Sequence, residues 1–251
     1  MSTYLKLDTA LPAGPSYLDI KKYTLPEPII AIGGIVSAFK FTGDMTDLFG
    51  TTAIVTGTPV KDVDGYSFGN TGYINTGLKE TEEFLWVALV RISSGGIYAP
   101  VISSFLAGSL SSDALSGGVN LAKDLTSVKM NAINNSTTNQ GFSAGTKNNG
   151  DWGLYALTRK QVSAGVYQYN YAFKTVNQPM VEKTSANTVG VVRNSQTTIS
   201  IGWSPNGAGT IPNASTIFNF ASVHNKGLTS AELATLMTNL VSDFSSQGIN
   251  L

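Results

Sequence analysis

Short apolar segments separated by Gly, Asn and Ser recur along this chain and limit the folds that it can adopt. The most apolar of them, Phe84–Val90, has no polar side chain over its whole length. Such a run is typical of a central strand that is buried on both faces. Residues 166–173 instead alternate, with an aromatic side chain at every second position after Val166. Many short strands joined by polar loops indicate a two-sheet sandwich or a barrel.

The same pattern predicts further strands along the chain. They cover residues 101–105, 118–121, 127–133, 152–158, 197–203 and 217–224. The loops within residues 93–150 are rich in Gly, Ser, Asn and Thr. Because loops on a rigid β scaffold carry function without disturbing the core, we expect recognition to lie in loops of this kind.

A single helix is predicted near the end of the chain. Thr229 and Glu232 have the spacing of a capping box, in which each side chain bonds the backbone N–H of the other residue. Apolar residues follow at helical spacing from Leu233 to Phe244, which favours packing against a core. Gly248 is a natural C-terminal stop.

Residues 1–35 differ from the rest because prolines recur in them. Pro12, Pro15, Pro26 and Pro28 favour extended backbone over helix. We therefore predict an extended N-terminal arm over residues 1–35, followed by the main domain over residues 36–251. The arm would attach the protein or form a homo-oligomer, or would simply be an edge strand of the domain.

Composition excludes several classes of function. The formal net charge is zero, which argues against nucleic acid as a partner, because that binding requires an excess of Lys and Arg. The chain has no cysteine, so it has no disulfides, zinc thiolate sites or thiol nucleophiles. No basic leader and no membrane-length apolar run occur, so we expect a soluble product without a signal peptide and without membrane insertion.

Six segments, read in order, resemble the concanavalin A-like lectin/glucanase superfamily, and its laminin-G-like branch in particular. They are DMTDLFG at 44–50, GYSFG at 65–69, GYINTG at 72–77, FLWVALV at 84–90, DWGLYALT at 151–158 and FNFASVHNKGLTSAEL at 218–233. The resemblance implies an all-β fold, an antiparallel jelly-roll sandwich with one C-terminal α-helix. It also implies that the concave face or the loop rim binds glycan or protein.

Catalysis is not expected. A retaining glucanase needs two carboxylates about 5 Å apart, and the E-x-D-x-x-E motif of the glucanases is absent here. The nearest acidic cluster, Glu80–Glu83 with Thr81 inside it, has the wrong spacing and is predicted to be a solvated turn. His224, the only histidine, is predicted to be a packed core or rim residue. The chain is therefore predicted not to be an enzyme.

The resemblance also raises the question of calcium, which many relatives hold with Asp and Asn oxygens. The candidates are two pairs of aspartates. The first pair is Asp44 and Asp47, and the second is Asp62 and Asp64. Asp before Gly is also ordinary turn chemistry, so we predict no cofactor and retain Ca²⁺ as an alternative.

Sugar binding requires exposed aromatic faces together with amide and hydroxyl groups. One candidate surface is the ladder of Tyr167, Tyr169 and Tyr171, which is otherwise a half-buried part of the core. The other candidates place a tryptophan beside amides near a loop: Trp203 with Asn206, and Trp152 with Asn148 and Asn149.

These features together predict a non-catalytic carbohydrate- or surface-binding domain. A phage or prophage virion or tail protein fits the profile, and its partners would be a cell-surface polysaccharide or other virion proteins. One alternative is a structural decoration or assembly protein of the virion with no glycan site. A second alternative is a polysaccharide-degrading enzyme on the same fold.

Overall fold

The computed structural model describes residues 24–50, 52–68, 72–92, 98–105, 118–124, 127–135, 138–143, 150–190, 197–203 and 215–251. Two antiparallel sheets stack face to face. The first, sheet A, has nine strands among these residues: β1 (Ile35–Lys40), β3 (Val60–Asp62), β4 (Gly65–Phe68), β6 (Phe84–Ile92), β11 (Trp152–Ser163), β12 (Val166–Thr175), β13 (Gln178–Thr184), β14 (Thr188–Val189) and β16 (Thr216–His224).

In the described part of the chain, sheet B has seven strands in the order β10-β9-β8-β7-β15-β5-β2. Their bounds are β2 (Ile54–Gly57), β5 (Gly72–Asn75), β7 (Tyr98–Ser103), β8 (Val119–Asp124), β9 (Ser127–Asn135), β10 (Thr138–Ser143) and β15 (Ser200–Ile201). The segment 197–203 was predicted as one longer strand, but only Ser200 and Ile201 pair with neighbours in sheet B.

The strand β6 lies in the middle of the molecule, as its apolar run predicts. Phe84, Trp86 and residues 88 and 90 face sheet B and belong to the core between the two sheets. Leu85, Val87 and Leu89 face the other way and belong to a second core under the helices. Because both faces of this strand are buried, it needs apolar side chains at every position.

The helix α2 (Ser230–Ser246) covers the outer face of sheet A and begins at the predicted capping box. The Glu232 backbone N–H donates to Thr229 Oγ1 at 3.3 Å, and the Thr229 N–H donates to Glu232 Oε2 at 2.8 Å. Its apolar stripe packs on sheet A and comprises Leu233, Leu236, Met237, Leu240 and Phe244. Gly248 follows with φ +85°, the left-handed backbone that ends many helices.

A second helix corrects the prediction for the N-terminal region. Helix α1 (Glu27–Ile32) occupies a stretch that was predicted to be extended. Pro26 and Pro28 flank and enter its first turn, where proline removes no hydrogen bond that a helix needs. Ile29 is fully buried in the core under α2, so this part of the chain belongs to the domain. Residues 1–23 of the predicted arm lie outside the described residues.

The predicted fold class is confirmed: the molecule is an all-β antiparallel sandwich with a C-terminal helix. Both helices lie on the outer face of sheet A. The outer face of sheet B has no helix against it in the described parts of the chain.

Candidate functional site

The outward face of sheet B carries a row of polar side chains that the strand register brings together. One row of paired residues points into the core and consists of Ile74, Ile201, Ile102 and Leu121. Because successive side chains of a strand point to opposite faces, the next row points outward. That row consists of Asn75, Ser200, Ser103 and Asn120. Amides and hydroxyls therefore cross four adjacent strands in one line, of which only Asn75 is partly exposed; Ser103, Ser200 and Asn120 are buried.

The two ends of this polar row differ in their hydrogen bonding. Asn75 Oδ1 accepts from Thr198 Oγ1 at 2.6 Å and from the Gly77 backbone N–H at 2.9 Å, so this end is already satisfied. Asn120 Nδ2 donates to the Tyr98 hydroxyl at 3.4 Å. Asn120 Oδ1, in contrast, is buried and has no hydrogen-bond partner in the described structure. An unsatisfied buried acceptor costs about 1–3 kcal/mol, so a partner for this oxygen would be favourable.

An aromatic pair stands beside the polar row. Tyr73 and Trp203 stack with ring centroids 5.3 Å apart and an interplanar angle of 20°, and both side chains are partly exposed. Trp203 would share the inward face of Ile201 if the strand continued unbroken. Gly202 has φ +77°, which ends the alternation and lets the indole reach Tyr73. A Cβ at Gly202 would lie 2.5 Å from Cβ of Phe68, so the close packing there also requires glycine.

The tyrosine ladder does not form an exposed surface. Tyr167 is 5% exposed, and Tyr169 and Tyr171 are fully buried between the sheets. Burial raises the pKa of the Tyr171 hydroxyl well above its ordinary value. The three rings share one face of β12, as predicted, but that face points into the core. The sugar-binding interpretation of the ladder is therefore replaced by its alternative, a place in the core.

The two tryptophan candidates lie on different sheets. Trp203 belongs to the outward face of sheet B, and its partner there is Tyr73. Trp152 begins β11 in sheet A, where the guanidinium of Arg91 lies 5.2 Å from its ring centroid. Their predicted amide partners, Asn206 for Trp203 and Asn148 with Asn149 for Trp152, lie outside the described residues.

The first pair of candidate metal ligands is engaged in the backbone of a turn. Asp47 Oδ1 accepts from the backbone N–H groups of residues 38, 49 and 50 at 2.8–3.1 Å, and its Oδ2 accepts from Ser37 Oγ at 2.5 Å. Asp44 Oδ1 accepts from the Thr46 N–H at 2.8 Å. Both aspartates have the local bonding that makes this residue common in turns.

The second pair of candidate metal ligands, Asp62 and Asp64, forms ion pairs with Arg91. Asp62 Oδ1 lies 3.5 Å from Arg91 Nη2, and Asp64 Oδ2 lies 3.3 Å from Arg91 Nη1. Among the described residues, no three His, Cys, Asp or Glu side chains come together as a metal site would require. The calcium alternative therefore has no assembled ligand set in the described part of the chain.

The acidic cluster before β6 was predicted to be a solvated turn, and for Glu80 this is wrong. Glu80 Oε1 lies 2.6 Å from Arg159 Nη1, and both side chains are fully buried. Ser104 Oγ donates to Glu80 Oε2 at 2.6 Å. The Arg159 guanidinium also donates to the Tyr169 hydroxyl at 3.1 Å and to the carbonyls of residues 81 and 82. This carboxylate is held by an ion pair and is not presented to a substrate.

His224 is a packed core residue, which is one of the two positions, core or rim, predicted for it. It lies on β16 and is 1% exposed. Its Nδ1 lies 3.0 Å from the Gly33 carbonyl and its Nε2 lies 3.0 Å from Ser222 Oγ, so the neutral ring donates from Nδ1 and accepts at Nε2. Burial lowers the pKa of His224 to about 4, although the bond to Gly33 opposes this effect.

No family model matches the sequence, and no curated protein matches it. In structure, the chain is similar to the receptor-binding domain of botulinum neurotoxin D, with a TM-score of 0.53 and 10% identity over 83% of this chain and 53% of that chain. It is also similar to the binding domain of botulinum neurotoxin serotype G, with a TM-score of 0.55 and 12% identity over 84% of this chain and 52% of that one.

A third similar structure is the serotype D ligand-binding domain in complex with N-acetylneuraminic acid, with a TM-score of 0.53 and 10% identity over 82% of this chain and 51% of that chain. The chain thus spans about half the length of these domains. At such low identity the likeness shows the fold, a β-sandwich shared with receptor-binding domains. None of the three is named as a laminin-G domain or a virion protein, so both of those assignments stay predictions.

Proposed function

We propose that this chain is a non-catalytic, glycan-binding domain and that the glycan binds on the outward face of sheet B. One observation carries the proposal: the partly exposed aromatic pair stands beside Asn75 and Thr198, which are also partly exposed, on a face with no helix against it in the described residues. The Tyr73–Trp203 pair supplies apolar ring surface. Asn75 and Thr198 supply polar atoms beside it for sugar hydroxyls.

The side chains around the aromatic pair favour a neutral glycan. None of the following eight residues is charged: Tyr73, Asn75, Tyr98, Ser103, Asn120, Thr198, Ser200 and Trp203. Lys129 lies on the same face but on β9, two strands beyond β7. An acidic sugar would require a cationic partner to offset the loss of its hydration. Asn120 Oδ1 is buried and has no partner among the described residues, so it is suited to accept from an internal water.

The same face supports binding rather than hydrolysis. Glycoside hydrolysis uses two carboxylates that flank the bond to be broken, and the eight residues include no carboxylate. The buried Glu80 is neutralised by Arg159. The similar structures are named as receptor-binding or ligand-binding domains, which agrees with a binding role. Because the chain spans only half of them, the sugar named there is not transferred to this chain.

The finer part of the proposal concerns biological context. We propose a bacterial cell-surface polysaccharide as the ligand and a phage or prophage virion as the setting. The composition supports this: zero net charge and no cysteine suit a domain that recognises neutral, hydroxyl-rich surfaces. Binding to whole bacterial cells, compared with the same cells stripped of polysaccharide, tests this part. The structural alternative predicts no difference between the two kinds of cells.

The site is tested by glycan-array binding of the full chain and of three variants. Trp203→Ala and Tyr73→Ala are each expected to weaken binding about tenfold, the equivalent of about 1.4 kcal/mol. Trp152→Ala is the matched control, since it removes a partly exposed tryptophan from sheet A. An equal loss in the Trp152→Ala variant, or no bound glycan at all, contradicts the proposal.

A further inference from the structure

Exposed apolar side chains are concentrated on one side of the sandwich. Six large ones lie between residues 48 and 63, and their exposed fractions run from 37% to 92%. We call these six the edge patch; they are Leu48, Phe49, Ile54, Val55, Val60 and Val63. The other exposed large apolar side chains of the described structure are scattered singly: Ile30, Val162, Val176 and Val189. Single exposed residues are ordinary, but a local concentration marks an interaction surface.

The backbone under the edge patch is the edge of both sheets. The strand β2 ends sheet B, and its hydrogen-bonded partner in the described structure is β5 alone. The strand β3 ends sheet A beside β4. Residues 58 and 59 join β2 directly to β3, so the two edges lie on the same side of the molecule. The outer N–H and C=O groups of such strands are available for pairing with another chain.

The edge of sheet B, β2, lacks the charges that commonly protect sheet edges, whereas β3 at the edge of sheet A contains Lys61 and Asp62. No charged residue occurs between Asp47 and Lys61. All four residues of β2 are exposed, and two of them, Ile54 and Val55, are β-branched and apolar. Natural edge strands are often protected by lysine or proline within the strand. Here Pro59 lies between β2 and β3, outside both strands.

We propose that the edge patch is a homodimer interface, in which β2 pairs antiparallel with β2 of a second copy. An antiparallel strand pair with a two-fold axis uses the same surface on both copies, so one patch is sufficient. Because β2 is uncharged, no like charges face each other across the axis. The net charge of the chain is zero, so the two copies do not repel each other as wholes.

Such a dimer would join sheet B of one copy to sheet B of the other. The outward faces would then lie side by side on one continuous sheet. If the glycan proposal is also correct, two sites would act on one repetitive polysaccharide and raise the avidity. The interface itself does not depend on glycan binding, and its test uses no glycan.

The experiment is sedimentation velocity on the full chain over a wide range of concentration. Ile54→Lys and Val60→Lys each place a charge on one sheet edge, and both positions are well exposed, so folding should be unaffected and is checked by circular dichroism. Val189→Lys is the control, since Val189 is 85% exposed and lies in β14, on another strand pair.

We expect a concentration-dependent dimer whose dissociation constant rises about tenfold or more in both edge variants, corresponding to about 1.4 kcal/mol or more, and stays unchanged in the control. A chain that is monomeric at every concentration overturns the proposal. An oligomer that neither edge variant weakens also overturns it, including one that is lost only when residues 1–23 are removed.

Discussion

Arg159 is the largest charged side chain buried in the sandwich, and it connects both sheets. Its ion-pair partner Glu80 accepts a hydrogen bond from Ser104, at the end of β7 in sheet B. The Arg159 guanidinium also donates to the Tyr169 hydroxyl and to the carbonyls of residues 81 and 82. Burial alone would lower the pKa of Arg159, but the charge of Glu80 together with Tyr169 raises it. The guanidinium therefore stays charged, and its neighbours must stay in place to satisfy it.

Removing one member of this pair should be far more damaging than removing an exposed pair. We expect Arg159→Ala to lower the free energy of unfolding by about 3–5 kcal/mol, because it leaves the Glu80 carboxylate buried and unpaired. Urea denaturation of the full chain measures this loss.

The matched control is Arg91→Ala, since Arg91 pairs with Asp62 and Asp64 at a partly exposed site. Such pairs contribute about 0–1 kcal/mol. If both arginine variants lose the same free energy of unfolding, the structural role given to the buried pair is wrong.

This pair also shows what a single sequence leaves hidden. Glu80 and Arg159 are far apart in the chain, and each looks like an ordinary surface residue. Arg159 of β11 pairs with Phe84, the first residue of β6. Only this register brings Arg159 close to Glu80, which precedes β6. The Tyr73–Trp203 stack is hidden for the same reason, because β15 must first pair with β5. Local pattern predicts the strands but not which ends meet.

At the scale of whole elements, prediction succeeded where one local signal dominates. The run in β6 is apolar at every position because both its faces are buried, and α2 combines a capping box with an apolar stripe. Prediction failed for α1, because prolines such as Pro26 and Pro28 generally favour extended backbone. In the structure these prolines start a helix, and burial of Ile29 supplies the tertiary contact that favours it.

His224 joins α1 to β16 and should make the stability of this junction depend on pH. Its pKa in the folded chain is about 4, below the ordinary 6.5, so the folded state holds fewer protons than the unfolded state between these values. The contribution of the neutral ring is therefore complete above pH 6.5 and is lost as the pH falls through 4. The loss amounts to about 3 kcal/mol.

The measurement is the free energy of unfolding of the natural chain and of a His224→Gln variant, at neutral pH and near pH 4. Carboxylates titrate in both proteins, so their difference isolates the histidine. The difference should be large at neutral pH and should shrink on acidification. A difference that is independent of pH would mean that His224 does not carry this dependence.

At the scale of the whole molecule, no helix lies on the outer face of sheet B or on the edge patch among the described residues, although β7 of sheet B is buried at every position. The helices cover the outer face of sheet A, and sheet B covers its inner face. The outward face of sheet B holds the polar row, and the adjoining edge holds the edge patch. Neither helix is long and apolar enough to cross a membrane. The sandwich thus places its two proposed surfaces next to each other.

The fold class could be predicted from the sequence because alternation and turn residues repeat along the whole chain. The position of the site could be predicted only in part. Trp203 was a candidate from its place beside a loop, whereas Asn75 and Asn120 gave no local signal. Their outward direction follows from sheet pairing and from the burial of Ile74 and Leu121 on the opposite face. The tyrosine ladder carried the stronger aromatic signal and belongs to the core.

A fluorescence titration with glycan tests whether the ligand binds at Trp203. The chain has three tryptophans, and a Trp152→Phe variant leaves only the buried Trp86 and the partly exposed Trp203. Titration of this variant with neutral bacterial oligosaccharides should give a saturable change in emission, which disappears when Trp203→Phe is added. An oligosaccharide that binds the protein but leaves the emission of the Trp152→Phe variant unchanged would contradict the account.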